Sequence, residues 1–238
     1  MTEAVEQPGP PPAKPWINHV LPFFAWLFVM QMLGDAAGWK YAVRTVVCLG
    51  LFLYYKPWQW YPRLNPRNLG WALLAGVGVF VLWVGPETDL ASRHEGLHKA
   101  YLTVGTMPFW KMDPPLMEMP YDPEVCGWLY TVIRLLGSAC VIALIEEFFF
   151  RGFVYRWMIR DDFLNVPLGH FDKVMFIGVA CIFGLEHREW IAGILCGLIY
   201  GWLFIRTRDI WATAVAHGVT NFLLGVYVIW AEKYEFWS

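Results

Sequence analysis

Ala139-Cys140-Val141-Ile142-Ala143-Leu144-Ile145-Glu146-Glu147-Phe148-Phe149-Phe150-Arg151 decides how the chain is read. Two carboxylates and a guanidinium interrupt a run that is otherwise apolar and long enough to be buried in lipid. An ion at mid-membrane costs about 2.5 to 3.5 kcal/mol on insertion scales, so a charge kept in such a run is first read as functional. Glu147 and Arg151 stand four apart in the order that favours pairing on one helix face. Glu146 points about 100° away and is left without that partner. It is the candidate reactive carboxylate, with Glu147 and Arg151 as its support.

The rest of the chain supplies the lipid context. Of 238 residues, 58% are hydrophobic and 18% aromatic, and the mean hydropathy is +0.41, more apolar surface than a soluble core buries. Crossing the hydrocarbon takes about 20 apolar residues, with about 17 to 25 acceptable. Runs near that length fall at about 17–34, 39–55, 69–86, 127–150, 173–188, 190–206 and 209–231. The expected fold is all-α, a polytopic transmembrane bundle of about seven spans (six to eight), with its chemistry among the last four helices. Trp and Tyr gather near the ends of the runs, as in Trp16, Trp39, Tyr54, Trp58, Trp128 and Trp237, in the pattern of an interfacial belt. The third run carries Gly70, Gly76, Gly78 and Gly85, which suits close helix contact.

Four segments are expected: a disordered, proline-rich N-terminus (1–15), accessory spans (16–86), an acidic extramembrane loop (87–125) and a core that carries the charged motif (126–238). The N-terminus is acidic and lacks the basic and apolar regions of a secretory signal, so the first span is expected to stay in the mature protein. Lys14, Lys56, Arg63, Arg67, Arg156, Arg160, Lys173, Arg206 and Arg208 collect on one side, placing that side in the cytoplasm and the acidic loop outside. A net charge of -2 offers no basic field for nucleic acid. The five cysteines form no Cys-x-x-Cys pair and read as small hydrophobes.

Further polar groups lie in the later runs. The fifth ends Phe183-Gly184-Leu185-Glu186-His187, and the seventh holds His217-Gly218-Val219-Thr220-Asn221, whose His217 and Asn221 share one helix face. Glu146, His187, His217 and Asn221 could meet in the bundle interior. Two chemistries fit, and both end in attack of an activated water on a carbonyl. In one, Glu146, His187 and His217 hold a zinc ion and leave a fourth position for water, with Asn221 behind them. In the other, Glu146 and His187 polarise the water while His217 and Asn221 donate to the oxyanion. Asparagine suits the oxyanion role better than zinc ligation.

Glu-Glu-x-x-x-Arg (Glu146, Glu147, Arg151), Phe-x-x-x-His (Phe183, His187) and His-x-x-x-Asn (His217, Asn221) occur in that order over roughly 126–231. In this the chain resembles the CPBP family of intramembrane peptidases, the CAAX-protease and bacteriocin-processing or Abi family, which includes the type II CAAX prenyl endopeptidases. The resemblance implies Glu146 and His187 as water activators and His217 and Asn221 as ligands or oxyanion donors. It leaves a metallo- or a glutamate-peptidase mechanism open. It further implies a multi-pass protein of a bacterial plasma membrane, acting on a membrane-anchored protein or peptide, and the length and Trp content are compatible with an exosortase-associated subgroup.

Rival readings are a zinc site at His94-Glu95-Gly96-Leu97-His98, which matches His-Glu-x-x-His in the loop, a non-catalytic scaffold or immunity protein of the same fold, and a transporter with a proton relay. Against the zinc site stand Gly96, Lys99 and the lack of a third ligand. His19 and His170 fall at or beyond span ends and receive no role. Simple spans also place Glu146 near the cytoplasmic end of its helix and His187 near the outer end of the next, so tilted or broken helices would be needed to bring them together.

Overall fold

The computed structural model describes residues 14–34, 37–88, 94–106 and 120–237, so most of the expected disordered N-terminus and part of the acidic loop lie outside the described residues. Helices account for the architecture, and no strand occurs among the described residues. They are α1 (Pro15–Leu33), α2 (Gly38–Tyr55), α3 (Leu69–Val84), α4 (Glu95–Val104), the long α5 (Trp128–Ile159), α6 (Lys173–Leu185), α7 (Trp190–Thr207) and α8 (Ile210–Ala231). Among the described residues, 15–33, 66–84, 128–159, 190–207 and 210–231 are long and apolar enough to cross a membrane, five where about seven spans were expected: α6 is too short at 13 residues, and α2, which carries Lys40 and Arg44, is not among the five.

The ends of these helices are set by local chemistry. Pro15 opens α1 where its missing N–H is not needed. Gly34 closes it at φ 65, a left-handed conformation that glycine adopts without strain. Asp172 and Asp209 cap α6 and α8 by accepting two backbone N–H groups each. Asp209 also accepts from the Asn65 N–H at 2.9 Å and Asn68 Nδ2 at 3.0 Å, tying the start of α8 to the start of α3. Asp209→Ala strands all four donors and is expected to cost about 2 kcal/mol, read as a lower unfolding temperature in detergent.

Packing relies on small residues. The α6–α7 hairpin brings Gly193 against Gly184 and Gly197 against Ala180, and an added Cβ would fall 2.9 Å from the facing Cα in both cases. Of the four glycines in and just after α3, only Gly76 meets a neighbour: its Cβ would lie 2.6 Å from the Ala216 carbonyl of α8, whereas Gly70, Gly78 and Gly85 face open space. The first-half helices pack directly on the second half. Phe23 of α1 stacks on Phe149 at 3.9 Å, and Gly137 fits against Tyr41 and Thr45 of α2.

Two lengths differ from the sequence reading, and together they remove its depth conflict. The fourth run was expected to end near 150 but continues to Ile159, because Arg151 and Arg156 find partners inside the bundle and need not mark its edge. The fifth was expected to reach 188 but ends at Leu185, where the Glu186 N–H turns back to the Phe183 and Gly184 carbonyls. At 1.5 Å per residue, Glu146 stands about 20 Å above Ile159 and Leu185 about 18 Å above Lys173. Glu146 and the end of α6 therefore share one depth.

Candidate active site

Around Glu146 and Glu147 the long helix changes its winding. Ala143–Glu147 is a single α-helical turn between two π-helical stretches, Gly137–Ile142 and Phe148–Val154. Such i→i+5 segments inside α-helices are frequent at functional sites. The Ser138 carbonyl accepts both the Ala143 N–H and, at 3.0 Å, the Asn221 amide. One N–H of the Asn221 amide thus pins α8 to the first π-helical stretch, leaving the other for a ligand.

Glu147 and Arg151 form the expected pair at 3.0 Å, both fully buried. Arg151 also donates to the Gly197 carbonyl of α7 at 3.1 Å and lies 4.6 Å from the centroid of the Phe183 ring. The same Glu147 oxygen accepts from His217 Nδ1 at 3.0 Å, a contact the helix-face argument did not anticipate. A carboxylate on Nδ1 turns His217 Nε2 outward, where it faces Glu146 Oε2 at 3.7 Å. Glu146, expected to lack the Arg151 partner, shares His217 with Glu147. Its side chain is 15% exposed against 0% for Glu147. The two adjacent acids are separated in role by burial: Glu147 is locked, and Glu146 reaches the surface.

His187 follows the end of α6. Its Nδ1 donates to the Phe183 carbonyl at 2.8 Å, which leaves Nε2 as a lone pair on a neutral ring. Trp83 of α3 packs edge-on at 5.3 Å, and Phe183 lies against both histidines. Tyr200, stacked near His217 at 5.0 Å, donates to Thr220, whose hydroxyl reaches the Gly76 carbonyl. That chain holds α3, α7 and α8 in register around the histidine. Ser138, Thr220 and Tyr200 carry no charge and gave no signal in a search for charged motifs.

The expected zinc set was tested on side-chain geometry. Among the described residues no three His, Cys, Asp or Glu side chains converge on a point where an ion could sit. His217 and His187 bond through Nδ1, to Glu147 and to the Phe183 carbonyl, which leaves each Nε2 available, so the misfit rests on the lack of convergence alone. The residues do not fit a three-ligand ion in this arrangement, and no step is derived through one. The loop motif fares no better. His94 precedes α4 in a non-helical conformation, so it does not share a helical face with His98, and His98 Nδ1 is taken by the Pro86 carbonyl at 2.8 Å.

His19, left without a role from its place near a span end, is buried. It donates from Nδ1 to the Pro15 carbonyl and accepts at Nε2 from the Tyr61 hydroxyl at 3.0 Å, which in turn accepts from Arg156. Burial, partly offset by the Arg156 charge, raises the Tyr61 hydroxyl above the ordinary tyrosine range and keeps its proton in place. Arg156 spends its other donors on the Gly152, Leu164 and Val166 carbonyls. His170 contributes its backbone carbonyl, to Tyr155.

No curated protein and no solved structure matches this chain. Residues 128–223, which contain Glu146, Glu147, Arg151, His187, His217 and Asn221, match the family described as type II CAAX prenyl endopeptidase Rce1-like.

Proposed function

We propose that the protein hydrolyses a peptide bond of a membrane-associated protein, in CAAX-type or C-terminal processing, with Glu146 and His187 activating the water. The observation that carries this reading is the division of labour between adjacent carboxylates. Glu147 is fully buried and bonded to Arg151 and His217, while Glu146 lies 3.7 Å from His217 Nε2 and is partly exposed. A water between Glu146 and His187 Nε2 loses a proton as its oxygen attacks the carbonyl carbon. The carbonyl oxygen becomes an oxyanion, met by the spare N–H of Asn221 and by His217, whose orientation Glu147 fixes. The proton taken up by the acid–base pair passes to the leaving amine as the C–N bond breaks. The family match supports a CAAX-type membrane endopeptidase. The residue roles, and a bacterial plasma membrane as the setting, are part of the proposal.

The test is cleavage of membrane-anchored candidate substrates in cells at matched expression. His187→Ala is expected to lower processing by about 10² to 10⁴-fold, the range for a positioned acid–base group, whereas Glu95→Gln leaves it unchanged. Loss with Glu95→Gln alone would move the chemistry to the loop. Full processing by every variant would make the protein a scaffold.

A further inference from the structure

We infer that the site opens toward the end of the bundle that carries the acidic loop, so that its substrate is a peptide segment on the non-cytoplasmic side of the membrane, next to the anchor that holds it there. The inference rests on the peptidase reading above and adds the side from which substrate arrives. Among the polar residues near Glu146, exposure rises toward the α6–α7 turn as far as Arg188, and Glu189 beyond it is buried again. Glu147 is 0% exposed and Glu146 15%; beyond them His187 is half-buried, Glu186 is exposed, and the Arg188 side chain is 45% exposed. All the residues past Glu146 in that series belong to the turn between α6 and α7, which the short α6 leaves at the depth of the site. Upper α5 rises about 27 Å from Glu146 to Trp128, well past that turn, and α8 runs on about 15 Å beyond Asn221. The turn thus lies lower than the ends of its neighbours, above a site whose floor is Glu147 and Arg151.

The opposite end is closed. Phe148, Phe150, Phe183, Tyr200 and Phe204 are all buried around Arg151. Below them the buried His19–Tyr61–Arg156 chain spans α1, the α2–α3 connection and α5. The cavity beside Arg151 at this end, lined by Tyr155, Phe176, Gly197 and Phe204, is about 10 Å³, too small for a peptide backbone. Lys56, Arg63, Arg67, Arg160, Lys173, Arg206 and Arg208 all lie at this closed end, at or just beyond the ends of α2, α3, α5, α6, α7 and α8. The bias of Lys and Arg toward cytoplasmic loops makes it the cytoplasmic face. The open end therefore faces out, and α4 bridges it: His98 binds the Pro86 carbonyl just past α3, and Trp190 at the start of α7 donates to the Val104 carbonyl. A peptide that reaches Glu146 from this side has first been translocated, unlike one whose scissile segment stays in the cytosol.

Two measurements in intact cells test this. Arg188→Cys, outside the reacting groups, is treated with a membrane-impermeant maleimide and its modification read by peptide mass spectrometry. In parallel, two reporters carry the same candidate segment beside a transmembrane anchor of opposite orientation, one displaying it outside and one inside. Modification from outside with cleavage of the outward reporter alone is the expected result. Cleavage of the inward reporter alone, or modification only after the membrane is permeabilised, overturns the inference while leaving the peptidase reading intact. Modification from outside with neither reporter cut defeats the peptidase reading, and the substrate assignment with it.

Discussion

Glu146→Gln is expected to reduce turnover by at least about 10²-fold, and toward 10⁴-fold, with little loss of folded protein. Glutamine keeps the size and planarity of the side chain but cannot take a proton from water. The change is mild for the fold because no buried cation depends on Glu146 for neutrality: Arg151 is paired with Glu147. Its Oε2 lies 3.7 Å from His217 Nε2, and His217 keeps Glu147 on its other nitrogen. Turnover and unfolding temperature measured on the same purified preparation separate the two effects. A variant that loses stability in proportion to activity would assign Glu146 a structural role and remove the basis for the proposed chemistry.

Arg151→Met has the opposite profile, a large loss of stability that takes activity with it. It deletes the guanidinium from a fully buried pair, leaves Glu147 facing only His217, and removes the second donor to the Gly197 carbonyl. Breaking one partner of a buried ion pair costs about 3 to 5 kcal/mol, mainly from the stranded charge. The double variant Glu147→Gln with Arg151→Met should therefore be more stable than Arg151→Met alone, and the cycle measures the coupling. Equal stability of the single and double variants would show that Arg151 acts through Gly197 and Phe183 rather than through Glu147.

What the sequence made legible was period and spacing. Apolar runs at the length of a span placed seven helices close to where they lie, because lipid leaves the backbone few alternatives. Glu147 and Arg151, four apart, paired as helix geometry requires. Contacts between helices were out of reach. Nothing in the spacing of His217 and Asn221 says that one seeks a carboxylate and the other the Ser138 carbonyl, since both depend on how α8 rotates against α5. The end of the fourth helix was misplaced for a related reason. Hydropathy reads Arg151 and Arg156 as a boundary, although both are satisfied by carbonyls and side chains inside the bundle.

The π-helical stretches on either side of the Glu146–Glu147 turn make α5 a device for setting phase. Each adds residues to a turn without adding a turn, so the face on which Glu146 appears depends on a count of residues back to Trp128. Deleting any one residue within Gly137–Ile142 would rotate Glu146 by about 100° relative to the anchored start of the helix, whatever the identity of the residue removed. Across this segment the chain should tolerate exchange of one apolar side chain for another far better than a change in length, so that here the number of residues carries information that their chemistry does not.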